Sequence, residues 1–63
     1  MNIGDRVGLI HAGKTYRGHI ADIFTHNVGT CEHTSLKIIV KNFMLPVIIN
    51  MTLFPYRVWK IDE

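Results

Sequence analysis

The amino-acid sequence predicts a small all-β protein, a barrel of five short strands forming a single domain over residues 1–63. Ile, Val, Thr and aromatic residues dominate the apolar positions, and these types favour strands. Short apolar runs alternate with Gly, Pro, Asn and Asp at turn-like positions, and no stretch holds a helical period. The chain is 48% hydrophobic and only 19% charged. That balance belongs to a globular chain near the lower size limit for a self-supporting core.

The first strand is read over Asp5–His11, where Val7 and Leu9 alternate with other residues. Ala12-Gly13-Lys14-Thr15 forms the turn, with Gly13 suited to positive φ. The second strand runs from about Tyr16 to His26, and Gly18 marks a bend or a close backbone approach. Ile20, Ile23 and Phe24 break strict alternation, which calls for a bulge near Ala21-Asp22. Asn27–His33 reads as a polar loop. The third strand, about Ser35–Lys41, points Leu36, Ile38 and Val40 inward and Lys37, Ile39 and Lys41 outward. A turn at Asn42-Phe43-Met44 leads to a fourth strand over Leu45–Met51, which Pro46 confines to an edge or bulge. Phe54–Arg57 reads as a turn of 3-10 helix, followed by a last strand at Val58–Asp62.

Composition narrows the function classes. A single cysteine, Cys31, excludes a disulfide scaffold within the chain and fits a reducing, cytoplasmic setting. The opening residues lack the long apolar core of a signal peptide. The most apolar stretch, Leu36–Phe54, is broken by Lys37, Lys41 and Pro46, so no membrane span is expected. A net charge of +2 and a pI near 9.0 permit contact with phosphate without demanding it.

No catalytic constellation is visible. There is no Gly-rich phosphate loop, and Asp5 and Asp22 stand isolated, Asp5 suited to bonding turn backbone. His26, Cys31 and His33 lack the paired spacing of structural metal sites, so neither a metal nor a cofactor is expected. Cys31 has candidate bases in His26 and His33 but no third group to orient them. The basic residues are better placed. Lys14, Arg17 and His19 lie around the first turn. Lys37 and Lys41 share the outward face of the third strand, and Arg57 sits beside aromatic residues. Basic groups interleaved with aromatics can hold phosphates while stacking bases. The adjacent pairs Ile38-Ile39 and Ile48-Ile49 also place apolar groups on both faces of two strands. Ile39, Ile48 and Met51 are therefore candidates for a partner or self-association surface.

Five bent strands with a short helical turn before the last resemble the SH3-like barrel. Gly4, Asp5 and Val7, followed by Gly18, Ile20 and Ile23, resemble the KOW motif of ribosomal and transcription-elongation proteins, over about a third of the chain. The family's second turn glycine is missing near Thr15-Tyr16. More distantly, Gly4-Asp5-Arg6-Val7, Tyr16-Arg17-Gly18-His19-Ile20 and Leu53-Phe54-Pro55 resemble the type II (plasmid-borne) dihydrofolate reductases, SH3-like barrels that assemble as tetramers around a pore. That family's glutamine and tyrosine ligands before the proline are replaced here by Met51-Thr52-Leu53-Phe54, so reductase activity is not implied. The resemblances imply a non-enzymatic binding module. The expected partner is nucleic acid or the transcription or translation machinery, held by Lys14, Arg17, Lys37, Lys41 and Arg57. The alternative is a protein-interaction or self-assembling module.

Overall fold

The computed structural model describes residues 1–62. Five antiparallel strands form one sheet in the order β4-β3-β2-β1-β5. They are β1 (Arg6–His11), β2 (Lys14–Val28), β3 (Cys31–Val40), β4 (Val47–Asn50) and β5 (Val58–Lys60), with a 3-10 turn at Pro55–Arg57 leading into β5. Among the described residues no helix is long and apolar enough to cross a membrane.

The second strand organises the rest. Fifteen extended residues would span about 50 Å, yet the whole chain measures 36 Å along its longest axis. The strand therefore has to bend. It does so where the sequence asks for a bulge: the β2–β3 register slips between Ile20 and Asp22, leaving Ala21 unpaired. Before the bulge β2 is flanked by β1, with Arg6 opposite His19 and His11 opposite Lys14. Beyond it only β3 remains beside β2, so the far ends of the two strands form a projecting two-stranded arm.

Alternation decides the core. Val7 and Leu9 of β1, Ile20 of β2, Leu36, Ile38 and Val40 of β3, Val47 and Ile49 of β4 and Val58 of β5 are all buried together. Tyr16 and Phe43 close one end in an edge-to-face contact at 4.8 Å. Lys37 and Ile39 lie half-buried on the opposite face, as the pattern predicts. The Ile48-Ile49 pair splits cleanly, with Ile49 2% and Ile48 53% exposed. β4 begins immediately after Pro46 and lies at the edge of the sheet. Asp5 accepts the Asn2 amide in the opening turn, the local bond expected of it.

The stretch read as a polar loop, Asn27–His33, is instead the end of the arm. Val28 pairs with Cys31 across a two-residue connection in which Gly29 takes φ +65°. Thr30 keeps ordinary φ, the pattern of a type II′ hairpin. The other strand ends differ from the reading by a few residues: β3 starts at Cys31, β4 is shorter at both ends, and β5 stops at Lys60. The first hairpin is also tighter than expected. His11 pairs with Lys14, and both Ala12 (φ 51°) and Gly13 (φ 75°) adopt positive φ.

Candidate nucleic-acid interface

The face opposite the core carries the chemistry. Paired residues share a face, and side chains alternate along each strand. One cross-strand row on this face therefore runs Trp59, Gly8, Arg17, and the next runs Arg6, His19, Ile39. Lys37 follows along β3, opposite Asp22 on one side and Ile48 on the other. Arg6, Arg17 and His19 are exposed. A shallow cleft of ≈ 270 Å³ lies between Arg6, Arg17, Gly18, His19 and Ile61, and a second of ≈ 370 Å³ between Gly8, Thr15, Tyr16, Arg17, Trp59, Lys60 and Ile61. Arg17 and Ile61 border both.

Trp59 owes its position to Gly8. A Cβ built on Gly8 would stand 2.4 Å from both Cε2 and Nε1 of the indole. The ring thus rests its nitrogen-bearing edge on bare backbone, and Trp59 remains 40% exposed. This contact depends on β5 pairing with β1, where Trp59 stands opposite Gly8.

The structure divides the five basic residues singled out in the sequence. Arg17 is central to the face and Lys37 lies farther along it. Lys41 follows Val40, the partner of Gly18, and so stands at the Arg17 end of the β2–β3 ladder. Lys14 is displaced to the first hairpin turn. Arg57 is engaged structurally: its Nε and Nη2 donate to the Ile10 carbonyl at 3.2 and 2.8 Å, and the guanidinium lies 5.6 Å over the Phe54 ring. That bond ties the 3-10 turn to β1. Arg6 and Trp59 are not among those five. Their place on the face follows from strand pairings between the two ends of the chain, which no local pattern announces.

The cations are segregated. None of the seven lysines and arginines lies between Gly18 and Leu36, the span that makes the arm and its approach. The carboxylates of that span are Asp22 and Glu32.

The arm holds a polar network instead. His26 shares a hydrogen bond with Ser35 Oγ at 3.0 Å, and its ring meets that of His33 edge-on at 5.8 Å. His33 is 8% exposed. Asn50 Oδ1 accepts the amides of Thr52 and Leu53, both at 3.0 Å. The Asn50 amide is therefore oriented, and Nδ2 must be the atom that donates to His33 Nδ1 at 2.9 Å. We assign the His33 ring proton to Nε2 on this basis. Among the described residues no group of three or more His, Cys, Asp or Glu side chains is arranged to hold a metal ion. Cys31 is exposed near the tip.

The self-association candidates also separate. Ile48 is exposed and Ile39 half-buried on the outer face, whereas Met51 packs against the core. Met44 and Leu45, fully and 77% exposed, extend the apolar surface from Ile48.

Comparison of the chain with protein families, with curated proteins and with solved structures gives no match.

Proposed function

We propose that the chain is a non-enzymatic module that binds nucleic acid through the outer face of β1, β2 and β5, either directly or within the transcription or translation machinery. The observation that carries this reading is the convergence of Arg6, Arg17 and His19 beside Trp59 on one exposed face. Guanidinium groups bind phosphate oxygens in a fork geometry, and an exposed indole beside them offers a surface to a base. We take the fold as an SH3-like barrel. In support, β5 returns to β1, a 3-10 turn precedes it, and β2 bends at its bulge to serve both halves of the sheet. The KOW-like opening at Gly4-Asp5-Arg6-Val7 points the same way.

The test is the salt dependence of binding to a labelled oligonucleotide, read by fluorescence anisotropy. Affinity is expected to fall steeply with salt as phosphate contacts release counterions. Arg17→Ala is expected to lower the slope of log affinity against log salt by about 1. Binding that stays constant between low and moderate salt would refute the reading.

A second reading is a self-assembling or protein-interaction module, favoured by the contiguous exposure of Met44, Leu45 and Ile48 beside the β4 edge. The ≈ 410 Å³ cleft between His11, Phe43 and Ile48 adds to that surface. On this reading, sedimentation of the wild-type chain shows a concentration-dependent oligomer and Ile48→Lys shifts it to monomer. A wild-type monomer at all accessible concentrations would dismiss self-assembly.

A further inference from the structure

We infer that the ligand of this face is an unpaired nucleic-acid strand, one base of which stacks on Trp59 in the cleft beside Gly8; the inference rests on the nucleic-acid reading above. Three features select an unpaired strand over a duplex.

The first is the exposed indole. Bases within a duplex have their faces covered by neighbours, so an aromatic platform is useful only to a base that has left the stack. Trp59 is 40% exposed at the border of a ≈ 370 Å³ cleft, near the lower end of the ~300–1,000 Å³ range of small-ligand clefts. Arg17 and Lys60 border the same cleft and can reach the phosphates on either side of a seated base.

The second is the lack of a long cationic groove reader among the described residues. A major groove admits an α-helix or a two-stranded ribbon. The one helical element among the described residues is the three-residue 3-10 turn. The longer ribbon is the β2–β3 arm, which carries no lysine or arginine between Gly18 and Leu36 and displays Asp22 and Glu32; the β1–β2 hairpin beyond the Leu9–Tyr16 pair, which holds Lys14, is only two residue pairs long. Pushing that arm into a duplex groove would bring carboxylates toward phosphates.

The third is how the cations are spread. Arg6 and Arg17 stand in neighbouring cross-strand rows, and the two clefts adjoin at Arg17 and Ile61. A single backbone can follow this continuous track, with phosphates beside Arg6 and His19 and a base beside Trp59.

The indole supplies its own readout, because Trp59 is the only tryptophan. Single-stranded RNA and single-stranded DNA of about ten nucleotides, within the site sizes known for small single-strand binders, and the duplex of the same sequence are titrated separately. Both single strands are expected to quench Trp59 fluorescence, and a preference between them tells which sugar the face favours. The duplex is expected to bind at least tenfold more weakly, without quenching. By anisotropy of the labelled strand, Trp59→Leu is expected to lose about tenfold in affinity with the salt slope unchanged, and Trp59→Phe to recover most of it. Gly8→Ala, which alters no charge but forces the ring from its seat, is expected to behave like Trp59→Leu. Should Gly8→Ala fail to fold, the Trp59 pair carries the test alone.

Equal binding of duplex and single strands, or wild-type affinity in Trp59→Leu, would overturn the unpaired-strand inference while leaving the phosphate-binding reading in place. Binding of no oligonucleotide at all would remove both.

Discussion

Gly18→Ala is expected to lose about 3 kcal/mol of folding free energy, a large share of what a domain this small possesses. Gly18 sits in β2 with partners on both sides, Val7 on β1 and Val40 on β3. A Cβ there would lie 2.4 Å from the Ile39 carbonyl oxygen and 3.0 Å from Ile38 Cγ2. The nearest obstacle is backbone, which cannot rotate out of the way as a side chain can. Relief would require prising β2 from β3 next to the fully buried Ile20 and Ile38. Urea titration followed by circular dichroism measures the effect. The midpoint is expected to fall sharply with little change in m, and a loss below about 1 kcal/mol would mean that the two strands separate at little cost.

Asn50→Ala is expected to cost about 2–3 kcal/mol. One side chain at the end of β4 joins two structures: it accepts from the Thr52 and Leu53 amides and donates to His33 on β3. Alanine removes all three bonds and leaves the His33 nitrogen, in a nearly buried ring, without its donor. The imidazole nitrogen shifts of the wild-type chain provide an independent check. They are expected to show a protonated Nε2 and a bare Nδ1 at His33. Observation of the opposite tautomer would mean that His33 Nδ1 donates and that the Asn50 amide is turned over, its oxygen no longer facing the Thr52 and Leu53 amides. Thermal unfolding of Asn50→Ala then measures the cost of losing the link.

The parts of this architecture that were legible in the sequence are those governed by nearest neighbours. The bulge at Ala21 is written in the broken alternation of Ile20, Ile23 and Phe24, and Pro46 marks the start of an edge strand. Gly18 stands out because a glycine inside a strand rarely lacks a steric reason. The end of the arm was not legible for an equally physical reason. Asn27, Thr30, Glu32 and His33 carry no apolar stripe, so no period distinguishes a polar ribbon from a polar loop. Ladder hydrogen bonds and the His26–Ser35 and His33–Asn50 links hold the arm, and such bonds leave no trace in hydrophobicity. The outer face divides along the same line. Arg17 and Lys37 could be placed by alternation within their own strands. The seat of Trp59 on Gly8 arises only when the last strand returns to the first. Arg57, which looks in sequence like an ordinary surface cation, is claimed by a carbonyl on β1.

All seven lysines and arginines lie outside the arm, whose span carries Asp22 and Glu32, so positive charge is displaced toward the body and the molecule has an electric dipole as well as its net charge of +2. In the field of a polyanion such a dipole experiences a torque before any contact is made. The cationic end of the sheet turns toward the polyanion, and the arm, with exposed Val28 and Cys31 at its tip, turns away from it. On the nucleic-acid reading, the distribution of seven cations along the chain orients the molecule during approach, and its influence on the association rate fades as added salt shortens the screening length.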